Sequence, residues 1–127
     1  MANENLQANL DVAKRLDITC RKGDTFQLSM EVNDDNGDPI DFSLYTSIKM
    51  QVRESEDDDD DSPVFSFEYP AAYDTSEVGK LIINKTASDM ANVQSGLFVY
   101  DLQLTDQSNK TVTWFYGIFR VNDDITI

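Results

Sequence analysis

Short segments in which every second residue is apolar recur along the chain, and this pattern constrains the fold more than any other feature of the sequence. In "SIKMQVR", for example, Ile48, Met50 and Val52 occupy alternate positions. Because successive side chains of a β-strand point to opposite faces, such a segment is predicted to be a strand with one buried face. Helical periodicity is nearly absent from Arg15 onward. The sequence therefore predicts an all-β fold.

Seven segments of this kind are predicted as strands, separated by turn signals. They span residues 15–21, 24–32, 47–53, 64–69, 79–85, 97–106 and 111–121. The segment "TASDMANVQSG" is predicted to form one short helical turn, with Thr86 or Ser88 as its cap and Gly96 at its end. About seven strands at this spacing predict an immunoglobulin-like antiparallel β-sandwich, with a small barrel as the alternative. The Cys-Trp-Cys signature of antibody domains is absent.

The last predicted strand, "TVTWFYGIFRV", carries bulky apolar side chains at both odd and even positions. Trp114 and Ile118 would lie on one face, and Phe115 and Phe119 on the other. A strand that is apolar on both faces is either central in its sheet or covered by a partner. Gly117 is predicted to mark a β-bulge in this strand.

The 127 residues suit a single domain with a core of its own. Residues 1–14 do not follow the strand pattern and are predicted to be an N-terminal arm, so the sandwich domain is predicted to cover residues 15–127. In the arm Leu6, Leu10 and Val12 are the sizeable apolar side chains. These three residues are the candidates for a contact with a partner.

Charge and missing residue types exclude several classes of function. The formal net charge is −14, which disfavours nucleic acid as a partner, because such binding depends on Lys and Arg neutralising phosphates. The absence of His and the single Cys20 remove the usual catalytic triads, a disulfide within the chain and most zinc sites. No segment approaches the roughly 20 apolar residues of a membrane span, so a soluble protein without a membrane partner is predicted.

The acidic residues cluster in loops, above all in Glu54, Glu56 and the run Asp57–Asp61. A solvated hairpin tip is predicted there, since adjacent carboxylates repel one another unless a cation intervenes. Calcium in the loop "VNDDNGDPIDFS" is disfavoured, because an EF-hand register with Gly37 in sixth position loses the ligands at both ends. We therefore expect no metal, no cofactor and no enzyme activity. The run could suppress edge pairing between sheets or dock on a basic partner.

Five segments resemble a class of small β-sandwich domains in tailed bacteriophages, found at the N-terminus of baseplate upper proteins and in stand-alone head or tail accessory proteins. The matching positions are Gly23–Phe26 ("GDTF"), Asp34–Thr46, Met50–Arg53 ("MQVR"), Ser95–Asp106 ("SGLFVYDLQLTD") and Trp114–Val121. Two features depart from the family pattern. The acidic run is longer, and Leu44 replaces the usual Gly of the turn.

The resemblance implies a non-enzymatic virion structural protein, made soluble in the host cytoplasm and present in several copies. Its partners would be other virion proteins. An accessory or decoration protein of the capsid is preferred, because the chain lacks the fibre extension of the baseplate relatives, and a tail or baseplate adaptor is the alternative. A calcium-dependent carbohydrate- or cell-surface-binding module is the alternative from another class, with Trp114, Phe115 or Tyr116 as a stacking platform. Core packing is the preferred role for these aromatic residues.

Overall fold

The computed structural model of the protein describes residues 11–55 and 63–125. Within these residues nine strands, one short 3-10 helix and one short α-helix form. The strands are β1 (Lys14–Arg15), β2 (Ile18–Arg21), β3 (Phe26–Glu31), β4 (Ser47–Arg53), β5 (Phe65–Phe67), β6 (Tyr73–Asp74), β7 (Lys80–Lys85), β8 (Gly96–Thr105) and β9 (Thr111–Asn122). The 3-10 helix spans Phe42–Leu44, and the predicted helical turn is α1 (Ala87–Met90), which the Thr86 side chain caps.

Two sheets pack face to face. The larger sheet has the order β5-β4-β8-β9, and β1 and β2 both pair with the other side of β9. The smaller sheet has the order β3-β7-β6. In immunoglobulin terms β4, β8 and β9 occupy the places of strands C, F and G, and β3, β7 and β6 those of B, E and D. The fold is therefore an immunoglobulin-like β-sandwich, as the strand spacing predicts.

Three details of the prediction were wrong. The first predicted strand is interrupted at Leu16 and Asp17, and its two parts, β1 and β2, run parallel to β9 where an antiparallel sandwich was expected. The short strand β6 lies within residues 70–78, where the sequence pattern predicts no strand. The 3-10 helix that Asp41 caps was also not predicted. β1 begins at Lys14, one residue before the predicted start of the domain, and most of the arm lies outside the described residues.

The core consists of the inward side chains that the alternation predicts. In β4 the side chains of Ile48, Met50 and Val52 are almost completely buried. At one end of the core the rings of Phe67 and Phe119 pack on Phe26, with centroid distances of 5.0 and 5.8 Å. Burial of aromatic rings contributes strongly to stability, since each removes a large apolar surface from water. Packing of these side chains therefore fixes the two sheets relative to each other, and with them the residues on their outer faces.

A β-bulge in β9 explains why this strand is apolar at both odd and even positions. The pairing with β8 shifts between Leu102 and Gln103, so Leu102 faces Phe115 and Gln103 faces Thr113, with Trp114 as the extra residue. Before the bulge the even-numbered residues of β9, such as Val112, point toward the core. After the bulge the odd-numbered residues, such as Phe119 and Val121, point toward the core. The prediction of a bulge at Gly117 was therefore wrong by three residues. Of the two alternatives for this strand, central in its sheet or covered by a partner, the structure shows the first, because β9 lies between β8 and the pair β1 and β2.

Gly117 has a different role, at the break between β1 and β2. A Cβ atom at Gly117 would lie 2.6 Å from the carbonyl oxygen of Leu16, so only glycine admits this close approach. The Leu16 carbonyl accepts a hydrogen bond from the Tyr100 hydroxyl. The Asp17 carboxylate accepts one from the backbone N–H of Ile118 at 3.0 Å. The Asp17 side chain thus supplies a hydrogen-bond acceptor to the backbone of β9 at the point where the parallel ladder is interrupted.

Candidate functional site

The outer face of the larger sheet carries a concave surface. Strands β4, β8 and β9 present outward side chains to it, and Asp11 and Ser55 also line it. The surface is a groove of about 670 Å³ lined by Asp11, Lys49, Gln51, Arg53, Ser55, Val99, Tyr100, Asp101, Gln103 and Tyr116. We call this surface the groove face.

The register of the sheet brings the groove residues together. Gln51 pairs with Asp101, and Asp101 pairs with Tyr116, so these three side chains form one row across the sheet. Lys49 pairs with Gln103 in the next row, and Arg53 pairs with Val99 on the other side. Because paired residues on neighbouring strands lie about 5 Å apart at their Cβ atoms, each row acts as one contiguous surface.

Asp101 is the electrostatic centre of the groove face. Its half-buried position raises the pKa of its carboxyl above the ordinary value of 3.8, and the positive charges of Arg53 and Lys49 oppose this rise only in part. The Arg53 guanidinium also donates a hydrogen bond to Oε1 of Gln51 at 3.1 Å. A carboxylate whose burial disfavours its charged form costs stability. Such groups are found preferentially at functional sites.

The groove face differs in charge from the rest of the protein. The whole chain has 24 acidic and 10 basic side chains. Among the described residues, the groove is lined by two basic side chains, Lys49 and Arg53, and by two acidic side chains, Asp11 and Asp101. A surface of balanced charge on a protein of net charge −14 can approach another acidic molecule with less repulsion than the other surfaces.

The groove suits binding better than acid–base chemistry. It offers donors, acceptors and the ring of Tyr116, which is 38% exposed. Tyr100 points its hydroxyl away to the Leu16 carbonyl, and burial raises the pKa of this phenol above its ordinary value of 10. The thiol of Cys20 in β2 is half-buried, and desolvation together with the charge of Asp24 raises its pKa to about 11. This thiol is therefore protonated at neutral pH and a poor nucleophile.

Metal ligands do not converge in the described residues. Among residues 11–55 and 63–125 no group of three His, Cys, Asp or Glu side chains is placed to hold a metal ion. In the loop that superficially resembles a calcium site, Asp34 accepts hydrogen bonds from the backbone N–H groups of Asn36 and Asp38 at 2.9 and 3.0 Å. Its carboxylate thus stabilises a tight turn around Gly37. The run Asp57–Asp61 lies outside the described residues, and the solvated tip stays a prediction.

Of the three predicted partner contacts, the structure describes one. Leu6 and Leu10 lie outside the described residues. Val12 is 65% exposed and borders a hollow of about 200 Å³ that is also lined by Lys14, Val32, Trp114 and Phe115. A contact of the arm with a partner stays a prediction.

The aromatic residues proposed as a platform divide between the two faces of β9. Trp114 packs against Phe42 and Tyr45, with ring centroids 5.6 and 5.9 Å apart, and Phe115 is half-buried against the core. Tyr116 points to the groove face. Core packing is therefore the role of the first two, as preferred from the sequence. The sequence reasoning missed the groove face, although its prediction that Lys49, Gln51 and Arg53 point outward contained part of the signal.

Comparison with known proteins gives no family. No protein-family model matches the chain, and no curated protein matches it. No helix in the part of the chain that the structure describes is long and apolar enough to cross a lipid bilayer.

Solved structures show low similarity. A Photobacterium 2,6-sialyltransferase aligns over 91% of this chain with 8% identity and a TM-score of 0.38, and this chain spans 19% of its length. The first immunoglobulin domain of mouse SynCAM 2 aligns over 85% of this chain and 92% of its own length, with 10% identity and a TM-score of 0.29. Extracellular domains 3–5 of Drosophila OTK align over 92% of this chain and 35% of their own length, with 16% identity and a TM-score of 0.32. These similarities are too low to assign the chain to any of these families.

Proposed function

We propose that this chain is a non-enzymatic structural protein of a bacteriophage virion, an accessory subunit that binds the capsid or another virion component through the groove face. The observation that carries the proposal is the groove face itself. It is concave, its charge is balanced on an otherwise acidic protein, and its centre is a half-buried Asp101 whose pKa is raised by burial. Protein contact surfaces use such mixtures of aromatic, amide and paired charged groups.

The segments that carry the phage resemblance supply most of this surface. Met50–Arg53 lies in β4, Ser95–Asp106 contains all of β8, and Trp114–Val121 lies in β9. The groove residues Gln51, Arg53, Val99, Tyr100, Asp101, Gln103 and Tyr116 all fall within these segments. The resemblance therefore supports a shared surface as well as a shared fold.

The chain is proposed to act in several copies on the particle, with Leu6, Leu10 and Val12 of the arm contacting a neighbouring subunit. A tail or baseplate adaptor would use the same surface and differ only in its partner. In either place the charge pattern favours a partner whose docking site offers an acidic group to Lys49 and Arg53 and a donor to Asp101.

The test is the incorporation of a charge-reversed groove variant into particles. Lys49→Glu/Arg53→Glu is expected to lower the number of copies per purified particle about tenfold or more, since two lost charge contacts readily exceed the 1.4 kcal/mol that a factor of ten requires. Lys22→Glu/Lys110→Glu is the matched control with the same change in net charge. Equal incorporation of both variants, at equal thermal stability, would refute binding through the groove face.

A calcium-dependent carbohydrate- or cell-surface-binding module is the second candidate, and Tyr116 is the observation that favours it. This exposed ring lies beside Asp101 in a groove that also presents Gln51 and Gln103, and rings with neighbouring amides and carboxylates suit sugar hydroxyls. A shift in melting temperature between calcium and EGTA, together with glycan binding that Tyr116→Ala abolishes, would favour this candidate over the virion subunit.

A further inference from the structure

A second hollow lies at one end of the sandwich, where the loop between β3 and β4 meets the loop between β8 and β9. It has a volume of about 400 Å³ and shares no lining residue with the groove face. We call the hollow lined by Ile40, Asp41, Leu44, Tyr45, Asp106 and Ser108 the loop-end hollow.

The walls of the loop-end hollow are apolar. Leu44 is 56% exposed in the short 3-10 helix, whereas Ile40 and Tyr45 are half-buried against the core. The phage domains that this chain resembles have a glycine at the position of Leu44, so this large apolar side chain is a departure from their pattern. Covering it with another molecule would be favourable, because its apolar surface would leave water.

Two carboxylates flank these walls. Oδ1 of Asp41 accepts hydrogen bonds from the backbone N–H and the hydroxyl of Ser43, at 3.0 and 2.6 Å. Oδ1 of Asp106 accepts them from the backbone N–H groups of Ser108 and Lys110, at 2.9 and 3.0 Å. Among the described residues no donor bonds to Oδ2 of Asp41 or of Asp106. Each carboxylate is therefore held in place and keeps one oxygen for another molecule.

The ring of Tyr45 lies close to the charge of Asp106. Burial of the Tyr45 phenol and the negative charge of Asp106 together raise the pKa of this phenol above its ordinary value of 10. The hydrogen bond from the Ser108 side chain is the main cause that lowers the pKa of the Asp106 carboxyl below 3.8, so Asp106 is charged at neutral pH. The Tyr45 ring packs edge-on against Trp114, with centroids 5.9 Å apart, and this contact fixes its orientation.

The two loops that form the hollow are bonded to each other. The backbone N–H of Thr46 donates a hydrogen bond to the carbonyl oxygen of Thr105 at 2.8 Å. The Thr46 hydroxyl lies 3.2 Å from the carbonyl oxygens of both Thr105 and Asp106. The hollow is therefore formed before any partner binds, which lowers the entropic cost of binding.

Charge and shape together indicate a cationic occupant with an apolar stem. Residues 38–46 and 105–110 contain three acidic side chains, those of Asp38, Asp41 and Asp106, and one basic side chain, that of Lys110. An arginine side chain matches this surface, because its aliphatic stem packs on apolar walls while its charged head stays polar. Its planar guanidinium can also bond two carboxylates at once and stack on an aromatic ring, which the ammonium of lysine does less well.

We propose that the loop-end hollow binds a basic segment of a partner protein by accepting one of its arginine side chains. The guanidinium would lie between Asp41 and Asp106, and the aliphatic stem would pack on Leu44. This site is separate from the groove face and does not depend on the proposed function. A chain that binds one protein at the groove face and another at the loop-end hollow would join the two.

Titration of the full chain with the peptide acetyl-Arg-Leu-amide, followed by amide NMR shifts, tests the proposal. The largest shifts are expected at Leu44, Tyr45 and Ser108, with a dissociation constant on the order of 1 mM. The same peptide with citrulline, which keeps the shape of arginine without its charge, should bind about tenfold more weakly. Equal binding of both peptides, no shift in the loop-end hollow, or larger shifts on the groove face would overturn the proposal.

Removing the two charges gives the second readout. Asp41→Asn/Asp106→Asn should weaken binding of the arginine peptide about tenfold, while Oδ1 of each Asn still accepts the hydrogen bonds of the turn. Asp34→Asn/Asp74→Asn is the matched control. It changes the net charge equally, in turns of the same kind that do not line the hollow, and it should bind like the natural sequence. An equal loss in both variants would mean a general attraction to an acidic protein and would refute the site.

The apolar contact is tested separately by Leu44→Ser. This variant should bind the arginine peptide about fivefold more weakly, since about half of a leucine side chain stays in contact with water. Val78→Ser is the control, because Val78 is 55% exposed and does not line the hollow. At equal melting temperatures, equal binding by the two variants would refute packing of the peptide on Leu44.

Discussion

The hydroxyl of Tyr100 donates a hydrogen bond to the main-chain carbonyl of Leu16, and this contact ties β8 to the break between β1 and β2. The Leu16 carbonyl oxygen lies so close to Gly117 that a Cβ atom at this residue would be 2.6 Å from it. The Asp17 carboxylate accepts a hydrogen bond from the backbone N–H of Ile118. The start of the domain is thus attached to β8 by the Tyr100 side chain and to β9 by the Asp17 side chain, as well as by the parallel ladder with β9.

Tyr100→Phe is expected to lower the free energy of unfolding by about 0.5–1.5 kcal/mol, because it removes a hydrogen bond and leaves a partly buried carbonyl without a partner. Denaturant unfolding monitored by fluorescence measures this change. Tyr116→Phe, at the exposed Tyr116, is the matched control and should be nearly neutral. Equal stability of the two variants would mean that the Leu16 contact contributes nothing.

Gly117→Ala is expected to destabilise the protein by about 1–3 kcal/mol, the range for forcing an extra carbon into a packed site. The added Cβ would lie 2.6 Å from both the Leu16 carbonyl oxygen and Oδ1 of Asp17. Gly37→Asn is the control, since no atom lies within 4 Å of a Cβ there and Asn tolerates the positive φ of +84°. A melting temperature of Gly117→Ala equal to that of the natural sequence would contradict the close approach at Gly117.

Asp101→Asn is expected to raise the melting temperature at pH 7 and to weaken binding of the partner. The pKa of Asp101 is raised by burial, so its contribution to stability is full below the ordinary value of 3.8 and is lost as the pH rises through the raised value. The Asn side chain stays neutral at every pH, so the gain over the natural sequence should shrink toward zero below pH 3.8. Thermal melts of both proteins between pH 3 and pH 8 check the sign.

Asp17→Asn is expected to have the opposite pH dependence. The hydrogen bond from the backbone N–H of Ile118 is the main cause that lowers the pKa of Asp17, and Arg15 adds to it. Its charged form therefore stabilises the fold above the ordinary pKa of 3.8, and this contribution disappears as the pH falls through the lowered pKa. Thermal melts should show the variant less stable at pH 7 and equal to the natural sequence at strongly acidic pH. A constant difference across this range would exclude the charge as the cause.

The strands that alternate strictly, such as the one containing Ile48, Met50 and Val52, could be predicted because their pattern is local. The break between β1 and β2 at Leu16 could not be predicted, because it depends on a hydrogen bond from Tyr100, which lies in another part of the chain. The bulge at Trp114 is visible in the sequence as a change of the apolar positions in β9 from even to odd. The prediction placed the bulge at Gly117 instead, because glycine is common at bulges.

The groove face required the register of three strands. Gln51, Asp101 and Tyr116 are far apart in the sequence and meet only because β8 pairs with both β4 and β9. Their residue types gave no local sign of a common site. The outward position of the β4 residues was predictable, whereas their neighbours across the sheet were not.

Electron cryo-microscopy of phage particles purified from cells that produce this chain, with the chain tagged at its C-terminus, tests the central proposal most directly. Density for the sandwich is expected at repeated, symmetry-related positions on the capsid or tail, with Lys49, Arg53 and Asp101 facing another virion protein. Absence of the chain from the particles, or a groove face that points to solvent at every position, would contradict it.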